Sequence, residues 1–308
     1  MTITSEIKES FKSGNMLTKL IYINIGVFLL ANIFFIIFAL SNRMGMGFAD
    51  QRNYFSMKFL TYLMVPADFS SLITKPWTLI TYMFLHFDFL HILFNMLWFY
   101  WFGRLFLMHL SGRQLFSTYV MGGLSGAFLF IIAYNVFPGL SLYVKDAQAL
   151  GASAAIVAII VAISFYIPNH EVVLIFIGPV KVKYIAIFFI ATDILYIAFS
   201  PLNTGGHIAH IGGAIYGYWF ITRYKKGKDI GRGVDAIMDF IATAFKPRRN
   251  LRVSYKRDAK NMDDMEYNAS KAQMQEEIDR ILDKIAKSGY DSLSKKEKET
   301  LFKMGGKN

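Results

Sequence analysis

Residues 149–168 read ALGASAAIVAIIVAISFYIP, an apolar run that opens at Gly151-Ala152-Ser153-Ala154 and stops at Pro168. A run this short, with a hydroxyl at its head, does not suit a lipid-exposed crossing of a hydrocarbon core roughly 30 Å thick; it needs protein or water around it. The stretch therefore predicts a helix inside a larger membrane bundle, with Ser153 facing a cavity. Alone, a serine at a helix start reads as an N-cap, its oxygen accepting an orphan backbone N–H. Only the rest of the chain can give it chemistry.

The composition supplies that context. With 54% hydrophobic residues, 16% aromatic residues and a mean hydropathy of +0.36, the chain of 308 residues is too apolar for an ordinary soluble protein. Apolar runs near 17–40, 89–109, 115–137, 150–167, 182–200 and 207–223 predict an all-α membrane protein of six helices, two of them short. The first run follows Lys8, Lys12 and Lys19 and continues without a small-residue cleavage site, so it reads as a retained helix rather than a signal peptide. Cysteine is absent, which excludes disulfides and a thiolate nucleophile.

The net charge of +11 is distributed as topology. Lys8, Lys12 and Lys19 precede the first helix, Arg104 and Arg113 lie between the second and third, and Lys181 and Lys183 precede the fifth. Arg223, Lys225, Lys226, Lys228 and Arg232 follow the sixth. All fall on one side of a six-helix layout, which the positive-inside rule makes cytoplasmic, with both termini there. Residues 41–80 form a long outside loop whose mixed content predicts an amphipathic insert at the outer interface.

The domain reading is a cytosolic segment over 1–16, a membrane domain over 17–224, a basic linker over 225–270 and a helical hairpin over 271–308. In the hairpin, Met274, Ile278, Ile281, Leu282 and Ile285 recur at helical spacing, Gly289 is a stop, and Ser294 to Glu297 has capping-box spacing. This tail reads first as a solvated appendage. Its other expected role is contact with a cytosolic partner, or with anionic lipid through Lys246–Arg257 in the linker. Nucleic acid is excluded as a partner, since the charge comes without a stacking platform or fold signature.

Polar groups inside spans are costly and mark functional sites. His91 and Asn95 are four apart and share a helix face; His86 falls off that face and belongs to the preceding turn. In the sixth run, His210, Gly213 and Gly217 form one stripe, and Ala154, Ala158 and Ala162 form another in the fourth, so these two helices are expected to pack closely. Alternation of direction puts His91, Ser153 and His210 in one leaflet. A serine, a histidine and oxyanion donors at one depth are the parts for acyl transfer. Asp193, in the fifth run, reads as a protonated or hydrogen-bonded structural carboxylate rather than the third member of a triad.

Trp77, the HFDFLHILFN stretch with His86, His91 and Asn95, the serine turn GASA, and AHIGGAIYG with His210, Gly213 and Gly217 together resemble the rhomboid family of intramembrane serine proteases, over roughly 17–224. The resemblance implies a six-helix core and a dyad of Ser153 as nucleophile and His210 as base. It also implies an oxyanion site from His91, Asn95 and the Ser153 backbone N–H with His86 nearby, and support from Gly151, Ala152, Gly213, Gly217 and His207. The expected substrates are transmembrane proteins in a lipid bilayer, approaching between the second and fifth helices, and the expected location is a bacterial inner membrane with the site opening outward. No cofactor and no metal are expected; HExxH is absent. Three positions depart from the family pattern: Ala154 for a glycine, Thr78 after Trp77, and Val157 where an aromatic often supports the imidazole. The alternatives are a catalytically silent relative that binds membrane proteins, which would have lost a reacting residue, and a transporter, which would more naturally show broken helices in repeated halves.

Overall fold

The computed structural model describes residues 14–41, 45–174, 177–199, 203–228 and 264–305, with Phe11 and a few isolated positions between 230 and 239; side chains of 264–270 and 302–305 are excepted. The chain divides into two compact units, Met1–Phe245 and Lys246–Asn308. Most of the linker expectation, including the basic run 246–257, lies outside the described residues.

The first unit is built on helices α1 (Met16–Ser41), α2 (Phe48–Phe59), α3 (Phe89–Leu107), α4 (Gly112–Val136), α5 (Ser153–Tyr166), α6 (Val182–Phe199) and α7 (Thr204–Lys225). Four of them, α1, α3, α4 and α6, are long and apolar enough to cross a membrane. The protein is a multi-pass membrane protein. Helix α5 has only 14 residues, about 21 Å of rise, and is tolerable because every residue from Ala154 through Ser164 is buried in protein. Helix α7 is longer but diluted by glycine and histidine, and it packs against α4 and α5.

Small residues bring those three helices together. A methyl group added at Gly213 would stand 2.1 Å from the Ala154 carbonyl oxygen, and one at Gly217 would stand 2.2 Å from that of Ala158. Gly122 and Gly126 of α4 press in the same way on Ala158 and Ala154, with 2.3 Å and 2.6 Å to their Cβ atoms. Such distances exclude any side chain, so glycine here buys close backbone approach and dense packing. The stripes of α5 and α7 were legible in sequence; the third partner, α4, was not singled out.

Loop segments fix the site end. The segment between α1 and α3 contains α2, two short helices (Phe69–Thr74 and Thr78–Thr81) and two single 3-10 turns, and its Val65–Pro66 strand (β1) pairs antiparallel with Gln148–Ala149 (β2), just before the serine turn. Asn135 of α4 donates to the Ala67 carbonyl at 2.8 Å. Beside it Phe35, Phe55 and Phe87 cluster, and the Arg52 guanidinium lies 4.0 Å from the Phe87 ring centre and donates to the Phe87 carbonyl. A small hairpin, Glu171–Leu174 (β3) with Gly178–Lys181 (β4), connects α5 to α6. Burial alternates along β3, as in a ribbon with one face toward solvent. At the opposite end of the bundle the termini of α3, α5 and α7 meet: Tyr166 faces His109 and Tyr224, and Lys225 donates to the Phe165 carbonyl at 2.8 Å.

In the second unit, α8 (Asp264–Ser288) starts seven residues before the expected 271, and α9 (Lys295–Gly305) follows a tight turn at Gly289. The Ser294 and Glu297 capping box is present: each side chain takes the other's backbone N–H, at 2.6 Å and 3.4 Å. Ile281 and Leu293 are buried.

Candidate active site

Ser153 is the first residue of α5, and its predecessor Ala152 occupies the N-cap. Ser153 forms no cap, so its hydroxyl is not spent on the helix that it opens. Its backbone N–H is one of the four orphan donors of a helix N-terminus, the electropositive end. The turn before it requires glycine: Gly151 has φ +116, and a Cβ there would meet the His91 ring at 2.8 Å. The Gly151 N–H is held by the Tyr82 carbonyl at 2.8 Å, and the Tyr82 hydroxyl donates to the Gly123 carbonyl at 2.5 Å. The serine turn is thus pinned to the segment between α1 and α3 and, through it, to α4.

Helix α3 opens at Phe89, capped by Asp88, whose carboxylate accepts the His91 N–H at 3.1 Å. This cap sets His91 and Asn95 on the cavity wall. His86, fully buried in the preceding turn, has Nε2 facing the Asn95 amide at 3.0 Å and the Ala152 N–H at 3.3 Å. Two donors on Nε2 make it an acceptor, with the proton on Nδ1 toward the Phe84 carbonyl at 3.4 Å. His86, which the resemblance put near the oxyanion site, thus has its Nε2 engaged with Asn95 and the turn before Ser153.

A cavity of about 660 Å³ has Ser153, His210, His91 and Asn95 in its lining, with Arg52 from α2, Phe94 and Trp98 from α3, Phe189 from α6, and Gly206 and Asn203 at the start of α7. The two candidate reacting groups and two candidate donors thus share one wall system. His207 is not among the lining residues and stacks on Tyr196 with ring centres 4.9 Å apart.

The feature that sequence reasoning undervalued is Asp193. It is buried, and its Oδ1 lies 2.9 Å from His210 Nδ1 and 2.7 Å from His207 Nδ1. A carboxylate at that distance holds the proton on Nδ1 and leaves the other ring nitrogen of His210 as the acceptor when the ring is neutral. The expected hydrogen-bonded carboxylate is present, and its partners, which the sequence left open, are the two histidines of α7. Helices α6 and α7 run antiparallel through a short connection, which brings residues 14 and 17 apart in sequence to one depth. The sequence offered one signal, an isolated acid in an apolar run, but no distance. Val157, where an aromatic was missing, is buried; here the imidazole is held from behind by a carboxylate.

A rhomboid domain is matched over residues 74–226, and a family of unknown function, DUF6576, over 262–305. The chain is 33% identical over 159 residues to RHOMBOID-like protein 12, mitochondrial, of Arabidopsis thaliana, an alignment covering 49% of this chain and 47% of that one. It is 28% identical over 162 residues to Presenilin-associated rhomboid-like protein, mitochondrial, of Bos taurus, covering 50% and 39%. The chain thus spans about half the length, or less, of these relatives, and both carry a mitochondrial name where a bacterial membrane was expected. With its domain match placed on the helices that carry Ser153 and His210, the chain belongs to the rhomboid family, which includes both proteases and inactive members.

Proposed function

We propose that the protein is an intramembrane serine endopeptidase that hydrolyses peptide bonds in or near transmembrane segments of other membrane proteins. The observation that carries this reading is a serine hydroxyl not used as a cap, sharing one cavity with a histidine whose Nδ1 is engaged by a buried carboxylate.

In this reading Ser153 Oγ attacks the scissile carbonyl carbon while its proton passes to His210 Nε2. The carbonyl oxygen becomes an oxyanion, held by the Ser153 N–H, the Asn95 amide and His91; losing one such donor typically costs about 3 kcal/mol of transition-state stabilisation. Collapse breaks the C–N bond, and the imidazolium returns its proton to the departing amine. Water then attacks the acyl-serine with His210 as base again, releasing the acid and restoring Ser153. Asp193 keeps the imidazole in the productive tautomer and stabilises the imidazolium. His86 works one step back, by orienting Asn95.

A substrate helix has to expose its backbone, so segments with helix-destabilising residues near the cavity depth are the expected targets. Phe94 and Trp98 on one side and Phe189 on the other line the cavity between α3 and α6, and this is the proposed lateral path. The basic residues at the far ends of the helices support placing that face and both termini in the cytoplasm, with the cavity opening on the opposite side. The tail is proposed to contact a cytosolic partner or anionic lipid.

The test is cleavage of a single-pass substrate with a destabilised segment, by purified wild type and Ser153→Ala in liposomes. Cleavage by wild type alone supports the protease. Equal cleavage by both assigns the activity elsewhere, and no cleavage, with no fluorophosphonate labelling of folded wild type, supports a silent membrane-protein binder instead.

A further inference from the structure

Asp193, His207 and His210 offer a carboxylate oxygen and two imidazole nitrogens that all lie within 4.8 Å of one another, the one such group of three among the described residues. We infer that these side chains form a transition-metal site of the zinc class, and that its occupation is incompatible with His210 acting as a base. The inference rests on the protease reading for its consequence, but not for the site itself.

The donor set comes first. Two imidazoles and one carboxylate suit zinc and its first-row neighbours rather than magnesium or calcium, which prefer all-oxygen shells. In a tetrahedral zinc site with bonds of about 2.0–2.1 Å, donor atoms stand roughly 3.3 Å apart. Here Asp193 Oδ1 is 2.7 Å and 2.9 Å from the two Nδ1 atoms. Lengthening these two contacts by about half an ångström would bring them to the spacing of zinc ligands. The three residues come from two antiparallel helices, so the shift needed is one of rotamers rather than of fold. The fourth position would be open, as in sites that keep a water. Access is available because the His210 side chain is 20% exposed and lines the cavity.

The consequence follows from where the protons sit. In the metal-free arrangement each neutral imidazole carries its proton on Nδ1 and donates it to Asp193. A metal takes the Nδ1 lone pair, so the ring remains neutral only with its proton moved to Nε2. No oxidation is involved, and each neutral ring keeps one proton. But His210 Nε2 then bears a hydrogen and has no lone pair for the Ser153 proton. Metal occupancy and general-base readiness are thus mutually exclusive states of one ring. His207 is the residue that makes the difference: it adds little to a serine mechanism, yet it completes a third ligand.

The site can be tested apart from activity. Tag-free full-length Ser153→Ala protein in detergent is titrated with Co²⁺, with the visible d–d bands of tetrahedral cobalt as the readout and Zn²⁺ as competitor. The expected result is a saturable band at one ion per chain, displaced by Zn²⁺. The same variant carrying in addition His207→Ala or Asp193→Asn should bind at least tenfold more weakly, while gel filtration and thermal unfolding show it folded. Absence of tetrahedral bands, or bands that persist in both folded double variants, overturns the site. On wild type, Zn²⁺ should then abolish substrate cleavage over the same concentration range, with recovery on adding a chelator. Undiminished cleavage by the zinc-saturated enzyme overturns the exclusivity. If wild type cleaves nothing even without metal, the protease reading fails while the cobalt titration still decides the site.

Discussion

Asp193 Oδ1 lies 2.9 Å from His210 Nδ1, although the two residues sit on different helices and the carboxylate is buried in the bundle. That single contact fixes which nitrogen of His210 faces away. Asp193→Asn should therefore lower kcat by roughly 10²-fold or more, since an amide can turn its NH₂ toward Nδ1 and favour the wrong tautomer. KM should change little. The check is a kcat and KM comparison, with the rate of fluorophosphonate labelling of Ser153 falling in parallel; unchanged labelling would remove Asp193 from the mechanism.

Gly151→Ala should both destabilise and inactivate. The residue would be forced to keep φ +116 while its methyl presses the His91 ring from 2.8 Å, a combination costing about 1–3 kcal/mol. Thermal unfolding in detergent should show the loss, and cleavage should fall further than the shift in stability explains, because the methyl displaces His91, a proposed oxyanion donor.

The helix-packing glycines make a paired prediction. Gly213→Ala meets the Ala154 carbonyl oxygen at 2.1 Å and should cost about 1–3 kcal/mol through overpacking. Gly26→Ala in α1 meets nothing within 4 Å and should be neutral or stabilising by up to about 1 kcal/mol, as usual for alanine replacing a helical glycine. Equal effects at the two positions would contradict the close approach of α5 and α7.

The Asp68 carboxylate is held well below the usual carboxylate range, first by the Lys145 ammonium at 2.8 Å and then by Ser70 and Ser71. It also caps the short helix Phe69–Thr74, accepting the Ser71 N–H at 2.9 Å. A depressed carboxylate contributes stability above its unfolded value, near pH 4, and loses it as pH falls toward the lower folded value. Asp68→Asn should therefore cost about 1 kcal/mol between pH 5 and 8, a drop of about 2–4 °C in Tm. The gap between mutant and wild type should narrow below pH 4; a gap that widens in acid would refute the ion pair.

Trp98 and Phe189 meet edge to face with ring centres 4.8 Å apart, across the gap between α3 and α6. Such a pair contributes about 0.5–1.5 kcal/mol beyond area burial. If this is the lateral path, Phe189→Ala should raise kcat/KM for a transmembrane substrate by up to about tenfold, with a much smaller change for a small soluble ester. Equal changes for both would place access elsewhere.

Much of this protein is written along the chain. Length and apolarity of the runs determine the helices, because a hydrocarbon solvent leaves the backbone few alternatives to helix. The helix bounds expected at 17–40 and 182–200 differ by one residue at most from those observed. The glycine and alanine stripes of α5 and α7 determine that those helices touch, since only residues without bulk permit it. What the tertiary structure decided is who stands behind whom. That His86 accepts rather than donates depends on the Ala152 N–H and the Asn95 amide, 66 and nine residues away in sequence. That Asp193 backs His210 depends on the rotation of α6 against α7. Helical periodicity tells which residues share a face, but the angle at which that face is turned is set by packing against every neighbour at once, and no local pattern in the chain encodes it.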